Sequence, residues 1–205
     1  MTVTGLIPKN NKKITVFIDE KIAFVLYKGD FNKYHITEGE EIPEADYDEI
    51  MHRILPKRAL DRSYKLLLGR DYTERQLKEK LLSDEYPESI IDDTIQLLKE
   101  QKYIDDRRYT ENYIFWQSKK KSRRRLMADL KQKGIKEEDA SAAYEMLLEQ
   151  NDIDDEEVLI QNFMDKKKIV PGELSYEEKE KITAMLLRKG FSFDAVKHIL
   201  NGQKY

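Results

Sequence analysis

The sequence predicts a mainly α-helical fold, an elongated tandem array of three three-helix repeats with a small N-terminal β-hairpin element. From residue 43 onward, apolar residues recur at the spacing of amphipathic helices. The same apolar pattern then returns in order 49 and a further 56 residues along the chain, as in proteins built from tandem repeats. A period of two, typical of half-buried strands, is confined to residues 1–42.

The N-terminal extension, residues 1–42, is predicted to hold two strands joined by a hairpin. The alternating apolar positions are Ile14, Val16 and Ile18, then Ile22, Phe24 and Leu26. The polar residues 19–21 are few enough to turn the chain, although the Asn-Gly or Asp-Gly pair that favours two-residue hairpins is missing. Because an isolated hairpin is marginally stable in water, we expect this one to pack on the helical part.

The helical part divides into three units with one shared apolar pattern. The matching positions are Leu77, Leu81, Tyr86, Ile91, Ile95 and Leu98; then Leu126, Leu130, Ile135, Ala140, Tyr144 and Leu147; then Ile182, Leu186, Phe191, Val196 and Leu200. We therefore assign residues 43–106 to a lead helix and repeat 1, 107–155 to repeat 2 and 156–205 to repeat 3. Since each repeat packs mainly on its neighbours, an elongated shape is expected.

Helix-end signals recur in the same register as the apolar pattern. Thr73, with Gln76 three residues on, predicts a capping box, and Ser175 with Glu178 predicts another. Ser122 holds the corresponding place in repeat 2. Gly134 and Gly190 stand where a helix end would use a left-handed residue.

Composition excludes several classes of protein. The chain has no cysteine, which removes disulfides, thiolate catalysis and cysteine-based zinc sites. No apolar run is long enough to span a bilayer, and the first residues lack the apolar core of a signal peptide, so we expect a cytoplasmic protein without membrane partners. The net charge of −3 excludes a uniformly basic nucleic-acid coat protein.

No catalytic residue, metal ligand or cofactor site is predicted. His35, His52 and His198 are far apart in the chain and lack ligand spacing, and no glycine-rich phosphate loop is present. The acidic pairs 105–106 and 154–155 could hold a metal as in a nuclease. We favour capping, because both pairs directly precede a predicted helix, where carboxylates bind free backbone N–H groups.

The strongest charge feature is the basic segment, defined as residues 119–133, with a net charge of +7 in fifteen residues. Ten acids and no base follow in residues 137–157. A charge run can simply be a solvated face. Basic residues at the start of a helix oppose its dipole, however, and an external phosphate would relieve that cost. The candidate contacts to a partner or DNA here are Lys119, Lys120, Lys121, Arg123, Arg124, Arg125, Lys131 and Lys133.

Trp116, just ahead of the basic segment, has three possible roles. It could stack on a nucleobase or anchor in a pocket of a protein partner. It could equally be a core aromatic between repeats.

Four motifs resemble the RecX family of recombinase regulators. They are LLGRDYTERQL at 67–77, LKEQKYIDDRRY at 98–109, RRL through QKGI at 124–135, and LLRKGFS at 186–192. The resemblance covers residues 59–201 in order. Lys102 departs from it, because a glycine is more usual at that position.

The resemblance implies a non-enzymatic protein that binds the RecA–DNA filament and suppresses its extension, ATPase and strand exchange. On the family match, Arg70, Tyr72 and Arg107 are placed near the functional surface. Consecutive repeats must also contact each other at junctions. The candidate junction residues are Asp105, Asp106 and Tyr109, with Asp154 and Asp155 49 residues after the first two. The implied partner is RecA, with DNA contacted mainly within the filament, and we expect a monomer.

A direct single-strand or duplex DNA-binding protein, competing with the recombinase for DNA, is the alternative function. A nuclease or another enzyme is the third hypothesis and the least favoured.

Overall fold

The computed structural model describes residues 1–201, and the last four residues of the predicted third repeat, 202–205, lie outside the described residues. Within it the chain forms two compact units, which meet in sequence between Asp105 and Asp106. The predicted class, mainly helical with three three-helix repeats, is confirmed.

The first unit opens with a three-stranded antiparallel sheet in the order β1-β2-β3. The predicted hairpin is confirmed as β2 (Lys13–Ile18) and β3 (Lys21–Tyr27). Between them Asp19 and Glu20 have φ values of 48° and 65°, positive at both central turn positions as in a type I′ turn. The sequence missed β1 (Val3–Pro8), which pairs with β2.

Three helices and a π-helical turn follow the sheet, and the last of these helices is the first helix of repeat 1. They are α1 (Lys28–Tyr34), α2 (Glu44–Glu49), the π turn (Ile50–Ile54) and α3 (Leu55–Leu67). One face of the sheet packs on them, and the fully buried side chains of this core include Val16, Phe24, Leu26, Ile50 and Leu55. The expectation that the hairpin packs on helices is therefore confirmed.

Repeat 1 continues with α4 (Glu74–Ser83) and α5 (Glu88–Glu100), which close a second core in the first unit. Leu77, Leu81, Ile91 and Leu98 are fully buried there, as the apolar pattern predicts.

The second unit holds repeats 2 and 3. Repeat 2 comprises α6 (Asp106–Ser118), α7 (Arg123–Gln132) and α8 (Glu137–Glu149). Repeat 3 comprises α9 (Glu156–Lys167), a 3-10 turn (Pro171–Glu173), α10 (Tyr176–Arg188) and α11 (Phe193–Asn201). Each repeat has its own core. The pattern positions Leu126, Leu130, Leu186 and Val196 are fully buried in these cores.

Six helices of the three repeats end in the same way, with a left-handed residue after the last turn. At Gly190, with φ 90°, the next residue's N–H donates to Leu186 O and the glycine N–H to Leu187 O, the paired bonds of a Schellman motif. The left-handed residues are Glu85, Lys102, Gly134, Asn151, Lys168 and Gly190. Lys102, which departs from the family resemblance at this position, adopts the left-handed conformation at φ 59° and keeps the turn.

The structure confirms some of the predicted helix N-caps and not others. The boxes at Thr73 and Ser175 are confirmed by bonds between each hydroxyl and the backbone N–H three residues on. Asp155 caps α9, accepting the N–H of Val158 at 2.9 Å. Ser122 occupies the N-cap position of α7, but its side chain makes no capping bond.

Glu85 fastens the sheet to repeat 1. Its carboxylate accepts a hydrogen bond from Thr15 Oγ1 at 2.7 Å and an ion pair from Lys9 Nζ at 2.9 Å. Burial alone would raise the pKa of this carboxyl, but the bonds from Lys9 and Thr15 outweigh burial and lower it.

Candidate functional site

The basic segment begins one residue after α6 ends and runs to the end of α7. Lys119, Lys120 and Lys121 form the turn, Ser122 starts the next helix, and the three arginines fill the first turn of α7. The second unit therefore places all eight candidate cations within one helix–turn–helix element.

A buried carboxylate, that of Asp129, forms ion pairs with two of these cations. The residue is 8% exposed, and Lys121 Nζ lies 2.8 Å from its Oδ2 while Arg125 Nε lies 3.2 Å from its Oδ1. The Tyr113 hydroxyl donates to Oδ2 at 3.0 Å. Lys121 thus joins the turn to Asp129 of α7 and to Tyr113 of α6, whereas Arg125 pairs within α7, in addition to any role toward a partner.

The local charges shift the pKa values within this group. Burial would raise the pKa of Asp129, but hydrogen bonds from Lys121 and Tyr113, with the charges of Lys121 and Arg125, outweigh it and lower the pKa. The bonds from Lys121 to Asp129 and Tyr113 raise the pKa of the lysine. The pair stays ionised at neutral pH.

Two further cations of the segment have contacts within the repeat. Arg123 makes an ion pair with Glu145 at 2.6 Å and lies over the ring of Tyr144, 5.1 Å from its centroid. Lys133 lies over the rings of Tyr109 and Tyr113, which are nearly parallel and have centroids 6.2 Å apart.

Four exposed cations remain without an acidic partner within residues 1–201, and we call them the open cations. No described carboxylate oxygen lies within 4.0 Å of their nitrogens. They are Lys119, Lys120, Arg124 and Lys131. These side chains are the members of the basic segment best able to meet an external anion.

Trp116 lies on the surface, so the interpretation as a core aromatic is wrong. Its side chain is 64% exposed and meets Phe115 edge to face, with centroids 5.1 Å apart. Lys119 Nζ lies 6.0 Å from the indole centroid.

Ser122 joins repeat 2 to repeat 3. Instead of capping α7, its hydroxyl donates to the carbonyl oxygen of Lys189 at 3.0 Å, and the residue is 1% exposed. A Cβ at Gly190 would lie 2.7 Å from this hydroxyl oxygen and 3.7 Å from the Cβ of Arg124. Glycine therefore lets the end of α10 approach the start of α7, where the arginines lie.

A cleft of about 870 Å³ opens between the two repeats beside this junction. Its walls include Arg123, Arg124, Tyr144, Phe191 and Phe193. Glu156, at its edge, accepts the backbone N–H of Ser192 at 3.0 Å.

The residues assigned by family match alone do not all join the basic segment. Arg70 and Tyr72 belong to the first unit, where the guanidinium lies 4.3 Å from the ring centroid of a tyrosine that is 8% exposed. Arg107, on α6, is exposed and pairs with Glu111 one turn later at 2.8 Å. Its family-assigned role stays a prediction.

The two acidic pairs lie at helix starts. Asp106 is the first residue of α6, and Asp155 is the capping residue of α9. Within residues 1–201 no group of three or more acidic or histidine side chains could hold a metal ion. No helix in that same range is long and apolar enough to cross a membrane.

The sequence analysis assigned no role in the candidate site to Tyr113 or Asp129, and it predicted Gly190 only as a helix end. The spacing of Arg125 and Asp129, four residues apart on a helix, was the available signal for an ion pair. No sequence signal connects Ser122 with the end of α10, 67 residues away.

Comparison with known proteins gives three matching family models. They are described as the first, second and third three-helix domains of RecX, and they match residues 59–98, 105–143 and 154–200 in order.

Relatives match over nearly the whole chain. A regulatory protein RecX from Finegoldia magna is 32% identical over 198 residues, covering 91% of this chain and 92% of the relative. One from Caldanaerobacter subterraneus subsp. tengcongensis is 29% identical and covers 98% and 99%. A crystal structure of regulatory protein RecX has the same fold, with a TM-score of 0.64, 20% identity and coverage of 98% and 100%.

Proposed function

This chain belongs to the RecX family of regulatory proteins, and we propose on that premise that it is a negative modulator of the RecA recombinase. In this proposal it binds the RecA–DNA filament and suppresses filament extension, ATPase activity and strand exchange. It does so by contact, as a cytoplasmic monomer without enzymatic activity. The match of three consecutive three-helix domains to one regulatory family is the observation that supports it.

The charges of the second unit fit this role. The open cations provide contacts for a bound strand, while the acidic residues of 137–157 disfavour wrapping the same region in nucleic acid. A partner that presents both protein surface and phosphates, as a recombinase filament does, matches this mixture.

Direct DNA binding is the second candidate, and the open cations with Trp116 favour it. In that case the protein would bind single-stranded or duplex DNA and compete with the recombinase for it. The two proposals differ in whether inhibition can be overcome by adding DNA.

The test is single-stranded-DNA-dependent ATP hydrolysis by the cognate RecA, titrated with this protein. Strong suppression at well below one molecule per recombinase subunit, undiminished by excess DNA, is the expected result. Inhibition that disappears as DNA is added would favour competition for the strand. No inhibition at any ratio would refute the filament proposal.

A charge variant locates the contact. Replacing the four open cations with alanine should weaken ATPase suppression while leaving the helical circular dichroism unchanged. The matched control removes four exposed lysines of repeat 3, Lys166, Lys167, Lys181 and Lys197. Equal losses in both variants would mean that net charge matters and the basic segment does not.

A further inference from the structure

Trp116 differs in its surroundings from the other exposed aromatic residues of the second unit, Tyr176 and Phe193. It is 64% exposed, on the last turn of α6. Tyr176 is more exposed, at 77%, but it begins a helix whose first turn carries Glu177 and Glu178, and a hydrogen bond to Glu180 raises the pKa of its hydroxyl. Phe193 lines the cleft between repeats.

A cation lies close to Trp116, because Lys119 Nζ is 6.0 Å from the indole centroid. Lys119 and Lys120 follow it by three and four residues, and both belong to the open cations. Within the described chain, no ion pair to a carboxylate competes for either lysine at 4.0 Å. An exposed indole beside the Lys119 ammonium, with a second exposed lysine next in the chain, suits a ligand that has both a flat aromatic part and a negative charge.

The indole is in contact with the repeat through one neighbouring ring. Trp116 meets Phe115 edge to face, with an angle of 85° between the ring planes, and Phe115 packs on the core of repeat 2. A flat apolar side chain held in this way has little conformational entropy to lose on binding. Burial within the protein does not explain it, because most of its surface faces solvent.

We propose that Trp116 is a stacking platform for an unpaired nucleobase, with Lys119 and Lys120 contacting the phosphates on either side of it. The ligand class is single-stranded DNA, because bases in a duplex are already stacked and paired and present no free face. This inference deepens the proposed function by naming the part of the bound strand that the surface near Trp116 would recognise.

The chain offers a direct probe, since Trp116 is its only tryptophan. Titrating the full-length protein with an oligothymidylate at low salt should quench the tryptophan fluorescence. An abasic oligonucleotide of the same length, and a duplex, should bind through phosphates with little quenching. Binding is measured in parallel by the anisotropy of labelled DNA.

Variants separate stacking from charge. Trp116→Ala should weaken oligothymidylate binding roughly 5- to 150-fold, the range given by base–aromatic stacking energies. It should leave abasic binding unchanged, and Trp116→Phe should restore much of the loss. Tyr176→Ala is the matched control, since it removes an exposed aromatic ring from acidic surroundings. Replacing Lys119 and Lys120 with alanine should weaken binding of both oligonucleotides alike.

Three results would overturn the proposal. They are equal quenching by abasic and base-containing strands, binding of oligothymidylate without quenching, and no binding of either strand at low salt. If Trp116→Ala abolished ATPase suppression without changing strand affinity, Trp116 would be an anchor for a protein partner. Because the fluorescence test contains no recombinase, its failure leaves the ATPase test of the proposed function intact.

Discussion

Replacing Gly190 with alanine tests the junction between repeats 2 and 3. The substitution adds a Cβ to a residue at φ 90°, where an L-residue costs about 1–2 kcal/mol relative to its usual conformations. It also sets that Cβ 2.7 Å from the Ser122 hydroxyl oxygen, closer than such atoms can approach.

The simplest relief is rotation of the Ser122 hydroxyl away from Gly190. This breaks its 3.0 Å bond to the carbonyl of Lys189, and a partly buried carbonyl that loses its donor costs about 1–3 kcal/mol. Together with the backbone cost, we expect Gly190→Ala to lower the free energy of unfolding by about 2–5 kcal/mol.

Gly39 provides a matched control. Its φ of 87° is nearly the same, but a Cβ there would meet no atom within 4 Å. Gly39→Ala should therefore cost only the backbone contribution, about 1–2 kcal/mol. Urea unfolding followed by far-ultraviolet circular dichroism measures both variants.

A variant that already lacks the Ser122 hydroxyl tests how much of the cost of Gly190→Ala comes from that hydroxyl. In a protein that already carries Ser122→Ala, the cost of Gly190→Ala should fall to that of Gly39→Ala. If Gly190→Ala is no worse than Gly39→Ala in the wild-type background, or if removing the hydroxyl makes no difference, the argument for a sterically required glycine fails.

Three further substitutions test a buried ion pair, a left-handed helix end and the contact between the sheet and repeat 1. Asp129→Asn should lower the free energy of unfolding by about 2 kcal/mol, because Lys121 loses a charged acceptor. Since folding lowers the pKa of Asp129, its contribution is present above the unfolded value and is lost as the pH falls through the folded pKa, so urea midpoints of variant and wild type should converge below about pH 4. Lys168→Gly should stabilise the protein by about 1 kcal/mol by relieving a left-handed lysine. Glu85→Gly should not stabilise the protein, because it also removes the carboxylate that accepts a hydrogen bond from Thr15. If its urea midpoint rose as much as that of Lys168→Gly, Glu85 would not be fastening the sheet to repeat 1.

The helical repeats could be predicted because each depends on short-range periodicity. Leu77, Leu126 and Ile182 hold the same place in three units, and burying one face of a helix requires apolar residues at that spacing. Strand β1 could not be found in this way, because Val3–Pro8 contains Gly5 and Pro8 and gains its register only from pairing with β2.

The candidate site was predictable as a charge cluster but not as a set of contacts. The eight cations are plain in the sequence, yet which of them stay open depends on acids brought close by folding. Arg123 finds Glu145 on α8, 22 residues later, and Lys121 finds Asp129 on the next helix. Ser122 holds the position in repeat 2 that Thr73 holds in repeat 1, which favoured a helix cap. Its hydroxyl instead donates to the carbonyl of Lys189 in repeat 3.

The four cations of the basic segment other than the open cations already contact other groups of the protein. A DNA strand that binds this segment therefore releases fewer of the counterions bound to its phosphates. Neutralising each phosphate of a single strand contributes about −0.7 to the slope of log affinity against log salt. If all eight cations met phosphates, the slope would be about −6, whereas the four open cations alone give about −3. A strand held at this surface would therefore keep much of its affinity through a rise in salt that dislodges a protein neutralising eight phosphates.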